Sequence, residues 1–193
     1  MIKKEDWFTI PNILSYVRIL MIPLYIYLYL NANSVRDYYT AAGILVLSGI
    51  TDALDGFIAR KTGQITDLGK ALDPLADKLT QIAVVGAMSI KNSYILPLLI
   101  LFVLKEFYLL LNNLILMKKN ILMDGAMWFG KLATLIFYLA MFILVVYPDI
   151  TKAWAIYLVW LTAIFQMISF FGYSYWFISK YKEEKYISRM DEE

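Results

Sequence analysis

The sequence predicts an all-α, polytopic membrane protein: six transmembrane helices behind a short N-terminal interfacial segment, in one domain over 1–193. Three observations carry this. Of the 193 residues, 61% are hydrophobic, and the mean hydropathy of +0.61 exceeds what a soluble core needs at this chain length. Apolar runs close to the roughly 20 residues of a bilayer span recur six times, joined by connections too short for a separate soluble unit. No barrel-like alternation interrupts them, and backbone in hydrocarbon must satisfy its own hydrogen bonds, so the runs are helices.

The opening MIKKEDWFTIP places Trp7 and Phe8 beside Lys3, Lys4, Glu5 and Asp6. That mixture suits a segment lying in the membrane interface, with a disordered tail as the alternative. The basic start runs into apolar sequence without a small-residue cleavage site, so a cleaved signal peptide is not expected. The first span is placed at 10–31, where Pro11 is preorganised for a helix start. The second, 38–60, follows the polar NANSVRD. The third, 67–89, follows KTGQIT, a connection so short that these two helices must be antiparallel neighbours. Spans at 93–117, 125–147 and 153–177 come after IKNS, MKKNILMDG and YPDITK. The closing KYKEEKYISRMDEE reads as a solvated extension of the last helix.

Orientation follows from the cations near the helix ends. With the N-terminus in the cytoplasm, Lys3, Lys4, Arg60, Lys61, Lys118, Lys119, Lys180, Lys182, Lys185 and Arg189 fall on that side. Only Arg36, Lys91 and Lys152 fall on the other. Both termini are therefore expected in the cytoplasm of a cell membrane, and the connection between spans two and three faces the cytoplasm as well. The net charge of +2 is small and dispersed, which argues against a nucleic-acid partner.

The chain has no Cys and no His. Disulfides, thiol nucleophiles, imidazole bases and the usual zinc sites are thereby excluded. Against that background, the segment TDALDGFIARKTGQITDLGKALDPLADK carries Asp52, Asp55, Asp73 and Asp77. Asp52 and Asp55 are three apart on one helix, and Asp73 and Asp77 are four apart on the next, so each pair shares a face. All four can meet near the cytoplasmic interface. Like charges at that depth raise one another's pKa and require neutralisation. Salt bridges to Arg60, Lys61, Lys70 and Lys78 are one answer. An all-oxygen set is also the ligand set of Mg2+, Mn2+ or Ca2+, and two such ions would balance four carboxylates. Gly56 and Gly69 remove side chains beside the acids, and Ala59 is small, which leaves room for another molecule to approach the backbone.

Asp52, Asp55, Gly56, Ala59, Arg60, Gly69, Asp73 and Asp77 fit the pattern DxxDGxxAR, eight residues, then GxxxDxxxD. The pattern resembles the signature of the CDP-alcohol phosphatidyltransferases. The resemblance implies metal-dependent transfer of a phosphatidyl group from CDP-diacylglycerol to an alcohol, with release of CMP. It implies two divalent cations, Mg2+ or Mn2+, held by Asp52, Asp55, Asp73 and Asp77, with Asp77 also the base on the acceptor hydroxyl. Gly56, Ala59, Arg60, Thr66 and Gly69 would line the CDP-lipid site, joined by Pro11 and Asn12 from the first span. Membrane lipids would surround the site, and a homodimer and a bacterial membrane are compatible with the likeness.

For the acceptor, LDPLADK looks most like the branch that uses sn-glycerol 3-phosphate. An acceptor phosphate would need cations, for which Arg18, Lys70, Lys105 and Lys131 are in or near the spans, with Arg18, Lys105 and Lys131 taken as the candidates. Lys105 departs from the Arg that such relatives carry before Glu, and Arg and Lys do not bind phosphate alike. WFGKLAT around Lys131 resembles the Gly-Lys pattern of the same branch; charge compensation between Lys105 and Glu106, and a snorkelling Lys131, are the alternatives. A cardiolipin synthase of the same family, using phosphatidylglycerol, is the alternative. A cation transporter is the remote one, and it would spread its acids through the membrane depth rather than gather them at one end. Asn112, Asn113 and Gln166 read as interhelical hydrogen-bond partners.

Overall fold

Helix starts and stops follow local chemistry. Helix α1 (Ile10–Leu30) carries Pro11 in its first turn, where a missing amide costs nothing. Helix α2 (Val35–Thr62) opens on a capping box: Ser34 accepts from the Asp37 amide, and the Asp37 carboxylate accepts from the Ser34 amide. This cap starts the helix three residues ahead of the apolar run. Gly63 ends it at φ +68°, a left-handed cap that glycine adopts without a Cβ penalty. The Thr66 hydroxyl then accepts from the Gly69 amide at 2.9 Å and caps α3 (Asp67–Lys91). A 3-10 turn over Ser93–Ile95 moves the start of α4 (Leu96–Lys118) past the expected boundary. Helices α5 (Trp128–Val146) and α6 (Lys152–Met190) complete the chain, α6 taking in the expected C-terminal extension.

The computed structural model describes residues 7–64, 66–118, 121 and 127–190, the side chains of 67, 70, 71 and 184–190 excepted. The expectations for Lys3, Lys4, Lys119 and most of the interfacial segment lie outside the described residues, as do those for the side chains of Lys70, Lys185 and Arg189. Among the described residues there is no strand, so the all-α class holds. Five of the six helices are long and apolar enough to cross a membrane. Helix α3 is not among them, because Asp73, Asp77 and Lys78 interrupt its apolar sequence.

Helix α1 packs on both α2 and α3, α5 on α6 and α2, and α4 on α3 and α6. Fully buried Ala41 and Ala42 on α2 let neighbouring backbones approach. Aromatic and aliphatic side chains including Tyr25, Met88, Phe102, Phe137 and Met141 fill the main core. At one end Lys91 closes the bundle by donating to the Ala32 carbonyl at 2.7 Å and the Tyr38 hydroxyl at 3.0 Å. A smaller cluster of Leu116, Tyr173 and Phe177 joins α4 to α6. There α5 and α6 interlock: a Cβ on Gly172 would lie 2.7 Å from the Phe129 ring, and one on Gly130 would strike the Tyr173 hydroxyl. The buried polar residues of the first three helices, Asn12, Ser15, Arg18, Ser48, Asp55 and Gln81 among them, gather toward the end away from Lys91. The fold therefore places a polar interior beside the α2–α3 turn.

Candidate active site

Helical spacing puts Asp52 and Asp55 one turn apart on α2 and Asp73 and Asp77 one turn apart on α3. The tight turn at Gly63 brings the two pairs to the same end of the bundle. Helix α1 forms the third wall. Its Asn12, Ser15 and Arg18, each three residues from the next, are all buried, and Ser15 and Arg18 meet the acids.

Arg18 spans the α2 pair, with one guanidinium nitrogen 2.7 Å from Asp52 Oδ1 and the other paired with Asp55 Oδ2. Arg18 and Asp55 are almost fully enclosed, at 2% and 3% side-chain exposure, whereas Asp52 is open at 55%. A buried charge requires such a partner. The head group of Arg18, expected at the acceptor, is thus committed to the carboxylates. On α3, Asp73 Oδ1 accepts from Ser15 at 2.5 Å. Asp77 Oδ1 accepts from the Tyr138 hydroxyl of α5, also at 2.5 Å, and the Gln81 amide lies 3.3 Å from Asp77 Oδ2. Asp52 is within electrostatic reach of both Asp73 and Asp77.

The four acids thus stand at one end of the bundle, Asp52 and Asp55 both within electrostatic reach of Asp73. Among the described residues, however, no three are drawn together tightly enough to clasp a metal ion. Like charges oppose closer approach, and the one buried guanidinium among them leaves an excess of negative charge. The donor set fits a hard divalent cation: it is all oxygen, and Asp52 and Asp73 each present a second oxygen with no side-chain partner among the described residues.

Beside the acids, Asn12 donates to the Thr66 hydroxyl at 3.1 Å. A Cβ on Gly69 would come within 2.7 Å of Asn12 Oδ1, so the close approach of α1 to the start of α3 requires glycine there. Gly56 is covered by the Arg60 guanidinium, 3.3 Å from where a Cβ would stand. Pro11 is buried, Ala59 half-buried and Arg60 itself exposed. These residues, drawn from three helices, meet around the α2–α3 turn.

The remaining cations separate. Lys105, at 5% exposure, reaches Glu106 at 2.9 Å and Gln166 Oε1 at 2.7 Å. Gln166 also lies 3.5 Å from the Ala133 carbonyl, which joins α6 to α4 and α5 as interhelical glue. Lys78, next in sequence to Asp77, sits 3.3 Å from Glu106, so two lysines share one carboxylate beside the site. Lys131 is exposed in the first turn of α5 and makes no ion pair with a described residue.

Sequence reasoning missed Ser15, Gln81 and Tyr138. The first two had a signal, since Ser15 stands one turn from both Asn12 and Arg18, and Gln81 one turn after Asp77. Tyr138 had none, being one of 15 tyrosines in the chain.

Comparison with known proteins bears on this geometry. The profile of the CDP-alcohol phosphatidyltransferase family matches residues 8–168. The chain is similar to the CDP-diacylglycerol–glycerol-3-phosphate 3-phosphatidyltransferase of Aquifex aeolicus, at 32% identity over 65% of this chain and 69% of that protein. It is similar to the CMP-forming cardiolipin synthase of Streptomyces coelicolor, at 37% identity over 65% of this chain and 60% of the relative. It is also 50% identical to the rat cardiolipin synthase over 39% of this chain. The chain spans about a quarter of the length of the rat and human enzymes that it matches, 24% in each case. The expected bacterial source finds no support in relatives that include mammalian proteins.

Proposed function

Because the chain belongs to the CDP-alcohol phosphatidyltransferase family, we propose that it transfers a phosphatidyl group from CDP-diacylglycerol to sn-glycerol 3-phosphate, giving phosphatidylglycerol phosphate and CMP. The observation that carries this reading is the meeting of Asp52, Asp55, Asp73 and Asp77 with the buried side chains of α1 at one end of the bundle. A glycerol phosphate acceptor is favoured by Lys78 and Lys105, which hold one carboxylate between them and so leave net positive charge next to Asp77. Lys131 is an exposed cation in the first turn of α5.

In this reading, Asp77 takes the proton of the acceptor hydroxyl, whose oxygen bonds to the phosphatidyl phosphorus. The bond from that phosphorus to the bridging pyrophosphate oxygen breaks, and CMP leaves with the electron pair. Positioning a base in this way contributes typically about 10² to 10⁴ in rate. Asp52, Asp55, Asp73 and Asp77 would hold two divalent cations, Mg2+ or Mn2+, which supply positive charge to the phosphate oxygens when bound. Gly56, Ala59, Thr66 and Gly69 leave the CDP moiety space to approach the backbone, with Pro11 and Asn12 at its edge, while exposed Arg60 meets its phosphates. The diacyl tails lie among apolar helix faces. The site and both termini face the cytoplasm, and α3 crosses the membrane with its charged residues paired to α1, α4 and α5 rather than facing lipid.

The cardiolipin synthases among the relatives support a second reading, in which phosphatidylglycerol is the acceptor. Purified protein given labelled CDP-diacylglycerol with either acceptor, with Mg2+ or Mn2+ and with chelator, separates the two. CMP release that needs sn-glycerol 3-phosphate and a divalent ion is expected. Release with phosphatidylglycerol alone would move the assignment to the second reading, and none with either acceptor would end both.

A further inference from the structure

The four acids share a pattern that their helical spacing does not require. Each is held through one oxygen by a side chain from another helix, and Asp77 also through Oδ2 by Gln81 of its own helix. Arg18 of α1 takes Oδ1 of Asp52 and Oδ2 of Asp55, Ser15 of α1 takes Oδ1 of Asp73, and Tyr138 of α5 takes Oδ1 of Asp77. The three holders are themselves fixed. Ser15 and Arg18 are buried at 0% and 2% exposure, and Ser15 lies 3.2 Å from the Pro11 carbonyl of its own helix. The Tyr138 ring stands edge-on against buried Phe137, which leans on Phe102. A carboxylate with one oxygen tied cannot rotate freely, and its second oxygen keeps a set direction.

We propose that Ser15, Arg18 and Tyr138 form a positioning shell that fixes the direction in which the carboxylates of Asp52, Asp55, Asp73 and Asp77 face bound divalent cations. The proposal rests on the reading of these acids as the cation ligands. Outer partners of this kind set ligand direction, and losing one typically costs about 10- to 100-fold in metal affinity or activity. None of the three touches substrate in this scheme. They act through the carboxylates.

The test is Mn2+ binding, followed by electron paramagnetic resonance on the detergent-solubilised full chain without CDP-lipid. Ser15→Ala, Arg18→Lys and Tyr138→Phe all keep the net charge, so a change in affinity cannot be ascribed to altered attraction for the ion. Each is expected to weaken Mn2+ binding about 10- to 100-fold while thermal unfolding of the metal-free protein stays near wild type for the two neutral changes. If Arg18→Lys does not fold, Ser15→Ala and Tyr138→Phe decide the matter. Wild-type Mn2+ affinity in both would overturn the shell. Asp52→Asn and Asp73→Asn serve as the control on the underlying reading: if they too bind Mn2+ as wild type does, the cation assignment itself fails and the shell with it.

Discussion

Asp77 stands at the junction of three side chains, accepting from Tyr138 and flanked by Gln81 and Lys78. As the proposed base it should be indispensable to transfer and dispensable to CDP-lipid binding. Asp77→Asn is expected to lower CMP release by at least about 10²-fold, the lower bound for losing a positioned base, with CDP-diacylglycerol binding within about threefold. An active Asp77→Asn enzyme would refute the role. Lys105 carries a separate prediction. Its ammonium is enclosed between Glu106 and Gln166, and a hydrogen bond to a charged group contributes about 1.5–3 kcal/mol. Lys105→Met should therefore raise the KM for sn-glycerol 3-phosphate about tenfold or more and leave that for CDP-diacylglycerol unchanged. Equal effects on both substrates would mean that Lys105 supports the bundle and not the acceptor.

Among the elements, the α2–α3 hairpin and the α5–α6 pair depend on glycine for different reasons. Gly63 provides a left-handed turn at φ +68°, and an L-residue there costs roughly 1–2 kcal/mol. Gly130 provides proximity, since a Cβ would collide with the Tyr173 hydroxyl that accepts from the Met127 amide at 3.2 Å. Gly130→Ala must separate α5 from α6 or break that bond, and overpacking of this kind costs about 1–3 kcal/mol. We expect a lower midpoint of thermal unfolding in detergent for Gly130→Ala, partly restored by Tyr173→Phe, which removes the clashing oxygen. No change in the midpoint would show that the helix pair adjusts at no cost. The hairpin was legible in the sequence because its acids, glycines and turn lie within 26 positions. The interlock of Gly130 with Tyr173 was not, as it joins residues 43 positions apart through helix packing alone.

For the whole molecule, the placement of the cations predicts which way each helix passes through the membrane. The chain contains no Cys, so single-Cys variants report position without background. With six crossings, Cys at Lys61 and Lys182 should react with an impermeant thiol reagent from the cytoplasmic side, and Cys at Arg36, Lys91 and Lys152 from the opposite side. Labelling of positions 61 and 91 from the same side would remove α3 from the spans. A crossing by α3 would require its polar groups to be shielded by protein, and Ala76, Thr80 and Gln81 on its inner face are buried.

What the sequence determined by itself was everything set by local order: the helices, through apolar runs and caps; the pairing of the acids, through three- and four-residue spacing; and the donor chemistry, through the absence of His and Cys. Only the tertiary structure decided which side chains answer those acids. Ser15, Arg18 and Tyr138 lie 58, 37 and 61 positions from their partners. It also turned Arg18 from a candidate for the acceptor into the counterion of Asp52 and Asp55. Spacing fixes which residues share the face of one helix, but apolar helices resemble one another in sequence. Which of them packs against that face is set by the fit of side chains across the whole bundle.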